Sequence, residues 1–320
     1  MLLITGATGF VGNAVVARAA MEHPFSVRVA VRTGAPEFQK NIETAFVGDM
    51  TPETDWRNAV RGVDTIVHAA ARVHVMRDSA VDPLAEFRRV NVAGTLNLAR
   101  QAVDAGVRRF IFISSIKVNG ESTLLNRPYT AADVPAPVDP YGISKYEAEF
   151  GLTQLAEKTG LEMVIIRPVL VYGPGVRANF LSMMRWLYRG IPLPLGAIHN
   201  RRSLVALDNL VDLITICLYH PAAANQVFLV SDGEDLSTTA LLRRASAALG
   251  RPGHLIPVPA LALRWTARLL GKVDFAQRLC GSLQVDISKT QKFLGWVPPL
   301  GIDDALRQTA QHFLANLHRR

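Results

Sequence analysis

Short apolar runs rich in β-branched residues recur through the first half of the chain, at Leu2 to Ile4, Val27 to Val31, Thr44 to Val47, Thr65 to His68, Phe110 to Ile113 and Met163 to Ile166. Stretches with helical periodicity lie between them, at Val11 to Met21, Pro83 to Ala105 and Tyr141 to Thr159. Such runs predict strands covered on both faces, because each parallel crossover needs a helix to return the chain. The pattern therefore predicts an α/β fold, a doubly wound parallel sheet, over residues 1–170. Beyond Arg167 the texture changes. Pro168, Gly173, Pro174, Gly175, Pro192, Pro194 and Gly196 punctuate shorter helical pieces, which predicts a smaller lobe over residues 171–320. One later strand-like run, residues 226–231, suits the large sheet and completes the first domain.

Composition narrows the partners. With 320 residues and 49% hydrophobic side chains the chain has material for a substantial core. The formal charge of +8 is spread over single cations and pairs such as Arg88–Arg89, Arg108–Arg109, Arg201–Arg202 and Arg319–Arg320. Without a basic run or interleaved aromatics, this distribution argues against a nucleic acid partner and for small phosphorylated ligands. The chain passes from Met1 directly into a strand pattern, and no run of eighteen apolar residues occurs. The expectation is a cytoplasmic protein with no membrane partner. Cys217 and Cys280 lack metal-site spacing and are expected to be buried thiols, so no metal is expected.

The first chemical signal is Thr5-Gly6-Ala7-Thr8-Gly9-Phe10-Val11-Gly12, set between a strand and a helix. Glycines at 6, 9 and 12 allow a tight turn and close approach of the main chain to a pyrophosphate, with Thr8, Phe10 and Val11 presented at the helix N-terminus. A dinucleotide on a Rossmann fold is the expectation. The second strand ends at Arg32 rather than at an acidic residue. A guanidinium pairs with a 2′-phosphate, which favours NADPH over NADH, with NAD(H) as the alternative. Asp49 and Met50 follow the third strand, where they face the adenine, and the small run Ala69, Ala70, Ala71 follows the fourth and lets a dinucleotide lie against the backbone. His68 reads as a core histidine.

Tyr141 and Lys145 stand four apart, on one face of a predicted helix. Together they make a proton donor whose pKa an adjacent ammonium lowers, as carbonyl reduction or alcohol oxidation near neutral pH requires. Ser115, at the end of the fifth strand, is placed to hydrogen-bond the reacting oxygen, while Ser114 faces the sheet.

With the glycine loop, the Ser115, Tyr141 and Lys145 set, and the stretch Arg202 to Asn209, the chain resembles an extended short-chain dehydrogenase/reductase of the NAD-dependent epimerase/dehydratase family along nearly its whole length. The resemblance implies Tyr141 as acid/base, Lys145 on the nicotinamide ribose, Ser115 orienting the sugar oxygen, Pro168 beside the nicotinamide, and Asn91 supporting the lysine from the helix beneath. It implies a UDP-sugar held by a C-terminal substrate-binding lobe through Asn179, Phe180, Arg202 and Arg278, and a homodimer.

The reaction subtype turns on smaller features. Ile116-Lys117 stands where dehydratases of the family carry Asp-Glu, which argues against dehydration. Arg32, and Leu170 where epimerases place an asparagine, argue against epimerisation. Residues 70–76, Ser114 to Gly120 and residues 192–196 resemble bacterial reductases acting on UDP-4-keto-6-deoxy-N-acetylglucosamine, which make UDP-N-acetylquinovosamine for surface polysaccharide. The expectation is a 4-ketoreductase, with Lys117 and Arg72 meeting substrate. The alternatives are a UDP-hexose or UDP-N-acetylhexosamine 4-epimerase with tightly bound NAD, and a non-catalytic dinucleotide sensor.

Overall fold

The computed structural model describes residues 1–21, 26–32, 34, 38–39, 41–73, 82–271 and 273–317. Its strands are β1 (Leu2–Thr5), β2 (Val27–Val31), β3 (Ile42–Phe46), β4 (Thr65–His68), β5 (Arg109–Ile113), β6 (Glu162–Pro168), β7 (Leu170–Tyr172), β8 (Arg202–Ala206), β9 (Gln226–Val230) and β10 (Asp235–Leu236). Helices α1 (Phe10–Met21), α2 (Arg57–Val60), α3 (Pro83–Phe87), α4 (Thr95–Asp104) and α5 (Pro140–Thr159) occupy the first half. Helices α6 (Ala178–Tyr188), α7 (Leu207–Tyr219), α8 (Thr238–Ala248), α9 (Ala260–Leu269), α10 (Val273–Cys280), α11 (Ser288–Leu294) and α12 (Ile302–Leu317) follow.

Seven strands form one parallel sheet in the order β3-β2-β1-β4-β5-β6-β9. The chain reverses its direction of growth between β1 and β4, so their carboxyl ends open the crevice where open α/β sheets bind ligands. The strands are apolar throughout because both faces are covered. One buried cluster joins Ile4, Val29, Val67, Ile111 and Val164 to α1 and α7, and a second joins Leu3, Ile66, Phe110 and Phe112 to α4 and α5.

Beyond β6, a three-stranded sheet of order β10-β8-β7 and helices α6, α8 and α12 build a separate cluster around Tyr172, Met184, Leu204, Leu242 and Phe313. Helix α7 and β9 return to the large sheet, where β9 pairs with β6 in register Val164↔Gln226. The helix expected over Pro83 to Ala105 is interrupted by a π-helical segment, Arg88–Gly94, between α3 and α4. Such widened turns recur at functional sites. This one contains Asn91. His74, Val75 and Met76, part of the reductase-like run, lie outside the described residues.

His68 is a core histidine. Its Nδ1 meets Thr5 Oγ1 at 2.7 Å, its Nε2 meets Thr95 Oγ1 at 2.9 Å, and its ring stacks on Phe112 at 5.8 Å. Burial, and then the Lys145 charge, push its pKa from 6.5 to about 3. The unfolded chain therefore binds one more proton than the native state between about pH 6.5 and 3, and acid destabilises the fold through this group. Urea unfolding is expected to show that slope, about 1.4 kcal/mol per pH unit from this histidine, and His68→Gln to remove that share. Equal slopes in both proteins would mean that His68 titrates normally.

Candidate active site

The glycine loop sits at the carboxyl end of β1. Gly6 has φ +70, and a Cβ there would lie 2.6 Å from the Ala70 nitrogen, so the loop packs directly on the Ala69–Ala70 backbone. At Gly12 a Cβ would fall 2.1 Å from the Gly6 carbonyl oxygen, which lets α1 start close beneath the loop. Gly9 donates its N–H to the Gly6 carbonyl at 2.8 Å. The N–H groups of Phe10, Val11 and Gly12 open α1, and the first N–H groups of a helix have no intrahelical carbonyl to donate to, the charge pattern that a pyrophosphate requires. These residues fit a dinucleotide.

Arg32 and Asp49 come together at the ends of β2 and β3. The guanidinium stands 3.4 Å from the Asp49 carboxylate, and both side chains are about three-quarters exposed. Sequence reading gave them separate roles. The structure makes Asp49 the partner of Arg32, which offsets the positive charge offered to a 2′-phosphate. Met50 lies against the π-helical segment, its Cγ 3.0 Å from where a Gly94 Cβ would stand.

Asn91 is buried, and its amide nitrogen donates to Ser144 Oγ and to the Arg72 carbonyl, both at 3.0 Å, while its oxygen accepts from Arg72 N–H at 2.8 Å. Its contacts are therefore with the extended segment that follows Ala71 and with Ser144, the residue beside Lys145.

Helix α5 begins at a strong cap. Asp139 accepts from the Gly142 N–H at 2.6 Å and also forms an ion pair with Lys117. Lys117 reaches Glu121 at 3.4 Å as well, so this expected substrate cation serves the cap of the helix that carries Tyr141 and Lys145. Tyr141 meets Phe87 edge to face at 6.0 Å. Burial and then Asp139 push its phenol well above the ordinary value, so it stands protonated at neutral pH.

Lys145 is buried, donates to the Ile113 carbonyl at 2.8 Å and lies 4.3 Å above the Phe112 ring. Burial lowers its pKa to about 7, opposed by Glu149. Its charge is thus applied at the end of β5, and in this arrangement it does not lower the Tyr141 pKa as the sequence spacing suggests. Ser115 caps the turn at Ile116–Val118, accepting from Lys117 N–H at 3.3 Å, and Pro168 ends β6 beside it.

Two residues that sequence reading missed hold this assembly. Glu149, one turn beyond Lys145, accepts from Ser114 Oγ and from Arg167 at 2.6 Å, and Arg167 also donates to Asn119 at 2.9 Å. Glu149 and Arg167 are both buried. A charged residue inside the run Met163 to Pro168 was the available signal.

The expected substrate residues divide. Arg202 and Arg278 come close enough that burial, and then the Arg278 charge, depress the Arg202 pKa, and Arg202 donates to the Gly281 carbonyl at 3.1 Å. Two neighbouring cations fit a diphosphate. Asn179 is exposed at the start of α6, next to Ala178 with φ 52. Phe180 instead stacks on Tyr172 at 5.5 Å within the smaller cluster, because an apolar ring at that helix position turns inward. Cys217 and Cys280 are both buried free thiols, and burial pushes Cys217 up to about 12.

A model of the NAD dependent epimerase/dehydratase family matches residues 2–231, and the chain belongs to that family. It is 51% identical over 315 residues to a UDP-glucose 4-epimerase of Vibrio cholerae, covering 98% of this chain and 95% of that protein. It is 27% identical over 331 residues to the N-acetyl-alpha-D-glucosaminyl-diphospho-ditrans,octacis-undecaprenol 4-epimerase of Escherichia coli O157:H7, covering 97% and 94%. Among solved structures, the UDP-glucose 4-epimerase of Thermotoga maritima with UDP-glucose superposes with a TM-score of 0.77 at 22% identity, covering 99% of each chain. The UDP-glucuronic acid 4-epimerase of Bacillus cereus in complex with NAD gives 0.79 at 19% identity, covering 98% and 96%. Both structures share the fold.

Removing one member of the buried pair leaves an unpaired charge. Arg167→Met is expected to cost about 3–5 kcal/mol in urea unfolding, and Glu149→Leu with Arg167→Met to cost less than Arg167→Met alone. A double variant as unstable as the sum of the single ones would show that the two groups act independently.

Proposed function

We propose that the chain is an NAD-dependent 4-epimerase of UDP-hexoses or UDP-N-acetylhexosamines. The observation that carries this reading is the 51% identity, over almost the whole chain, to a UDP-glucose 4-epimerase. This reading replaces the expected 4-ketoreductase, whose two supporting departures lose weight at their positions. Leu170 is half-exposed at the edge of β7, and Arg32 is engaged by Asp49.

The chemistry that NAD would supply when bound is reversible hydride acceptance from the sugar C4. Gly6, Gly9 and Gly12, with the N–H groups of Thr8, Phe10 and Val11, would hold its pyrophosphate. Asp49 and Arg32 would face the adenosine, Met50 and Ala69 to Ala71 would line its path, and Pro168 would flank the nicotinamide. Tyr141, as the phenolate it would become once the Lys145 ammonium turns toward it, takes the proton from the C4 hydroxyl and gives it back to the ketone oxygen after the sugar turns. Ser115 hydrogen-bonds that oxygen. Lys145, which donates to the Ile113 carbonyl, would bind the nicotinamide ribose and supply the positive charge beside the phenol. Asn91 positions Ser144 and hence the first turn of α5. Arg202 and Arg278 grip the diphosphate, with Asn179 at the rim, which anchors the nucleotide while the sugar rotates. The assembly is a homodimer in this reading.

A second reading, reduction of a 4-keto-sugar nucleotide with NADPH, keeps one observation in its favour, the exposed guanidinium of Arg32 at the end of β2. Cofactor balance separates the two. Incubation with UDP-glucose or UDP-N-acetylglucosamine is expected to yield the C4 epimer with no net change in absorbance at 340 nm. Tyr141→Phe is expected to lower turnover by at least about a hundredfold while cofactor affinity holds, since only the transferable proton is lost. Stoichiometric oxidation of NADPH by a 4-keto-sugar nucleotide, without epimer formation, would replace the epimerase with the reductase. Arg32→Asp is expected to weaken NADP binding at least about tenfold and to spare NAD, read by fluorescence titration. An unchanged ratio of the two affinities would show that Arg32 does not face the 2′-phosphate.

A further inference from the structure

Helix α9 is apolar on two opposite faces. Ala260 and Leu263 pack on the smaller cluster, whereas Leu261, Trp265 and Leu269, spaced by four, point away from it. Their exposures are 70%, 65% and 83%, Leu270 adds 71%, and no residue of the helix is buried. A helix of a water-soluble lobe normally presents polar groups on its outer side. Here the outer side carries a tryptophan and three leucines.

The patch continues around a cleft of about 820 Å³. Leu124 and Leu125, exposed at 69% and 53%, line it from a loop of the large domain, facing Leu261, Arg264 and Arg268. Among the described residues, no carboxylate lines this cleft. From Leu236 to Val273 the sequence carries five arginines and one lysine and no aspartate or glutamate. Arg244 is spent on Glu234 and Asp303, and Arg251 stacks on Tyr188. Arg264 and Arg268, three residues on from Leu261 and Trp265, flank the apolar face.

We propose that α9, with the Leu124–Leu125 loop, is a docking surface for an anionic lipid bilayer, on which the helix lies in the plane of the headgroups. Trp and Leu enter the boundary between headgroups and acyl chains, and Arg264 and Arg268 remain at the phosphates, the division of labour of interfacial helices. The absence of any helix long enough to span a membrane among the described residues is compatible with this, because a surface helix needs no spanning length. The expectation of no membrane partner rested on the strand pattern directly after Met1 and the lack of an eighteen-residue apolar run, neither of which bears on a surface helix. The segment from Cys280 to Ser282 borders the same cleft, and Arg202 donates to the Gly281 carbonyl there, so docking would hold the proposed diphosphate site close to the lipid surface. The proposal is independent of which sugar the enzyme turns over.

Co-sedimentation of the full chain with vesicles tests it, using phosphatidylcholine alone and phosphatidylcholine containing phosphatidylglycerol. The expected result is at least about tenfold stronger partition to the anionic vesicles, weakened by salt. Trp265→Ser with Leu269→Ser, and separately Arg264→Glu with Arg268→Glu, are each expected to lower that partition at least about tenfold, with an unchanged thermal melt. Three results overturn the proposal. These are failure of the wild type to bind anionic vesicles, binding that both double variants retain, and light scattering in which Trp265→Ser with Leu269→Ser converts a larger oligomer to a smaller one, which would assign the face to a second copy of the chain.

Discussion

The Glu149–Arg167 pair is the constraint on which the reaction centre depends. Burying two charges is expensive, and the attraction between them repays it only when every remaining lone pair and proton is satisfied. Here Ser114 and Asn119 complete the set, and Asn119 in turn donates to the Thr130 carbonyl at 2.9 Å. The consequence is positional. Glu149 is one turn from Lys145, Ser114 is adjacent to Ser115, and Arg167 is adjacent to Pro168. One buried cluster thus sets the relative placement of a helix, the end of β5 and the end of β6, the three elements that carry the proposed chemistry.

Burial acts on the titratable groups around that cluster in one direction, toward neutrality. Tyr141 is held protonated, Lys145 is drawn toward its uncharged form, and His68 stays neutral. Only Glu149 among the causes at Lys145 favours its charge. The carboxylate behind the lysine therefore opposes the loss of its charge, though burial is the larger effect. His68 contributes from below without exchanging a proton at neutral pH. By joining Thr5 to Thr95, it ties the strand before the glycine loop to α4, and so couples the cofactor cradle to the helix layer.

Much of this was legible in the sequence, because strand and helix periodicity depends on neighbouring residues. The runs at residues 27–31 and 65–68 became strands of those bounds, and the glycine loop followed β1 as its spacing required. Partner choice was not legible. Arg32 and Asp49 meet only because β2 and β3 pair in parallel with Val31 opposite Phe46, a register that no local pattern specifies. Lys117 and Asp139, 22 residues apart, meet because the 3-10 turn after β5 faces the start of α5. The inward turn of Phe180 depended on Tyr172, a residue of another element. The π-helical widening around Asn91 was hidden for a different reason, since its residues have ordinary helical composition.

The same distinction decides how much weight a single departure from a family pattern deserves. Leu170 and Arg32 were the residues that argued for reduction over epimerisation. Both occupy exposed positions, where neighbouring groups adjust and a substitution changes little in the packed structure. Ser115, Lys145 and Asn91 sit in or against a close-packed interior, where position is dictated by many contacts. In the proposed reading this buried constellation carries the general chemistry, hydride transfer coupled to a proton at one sugar carbon. Whether the ketone is released or turned and reduced again depends on how firmly the nucleotide is held meanwhile. In the proposed reading that property belongs to Arg202 and Arg278, whose mutual repulsion a diphosphate between them would relieve. A site that gains by keeping its anion suits a reaction in which the intermediate must stay bound.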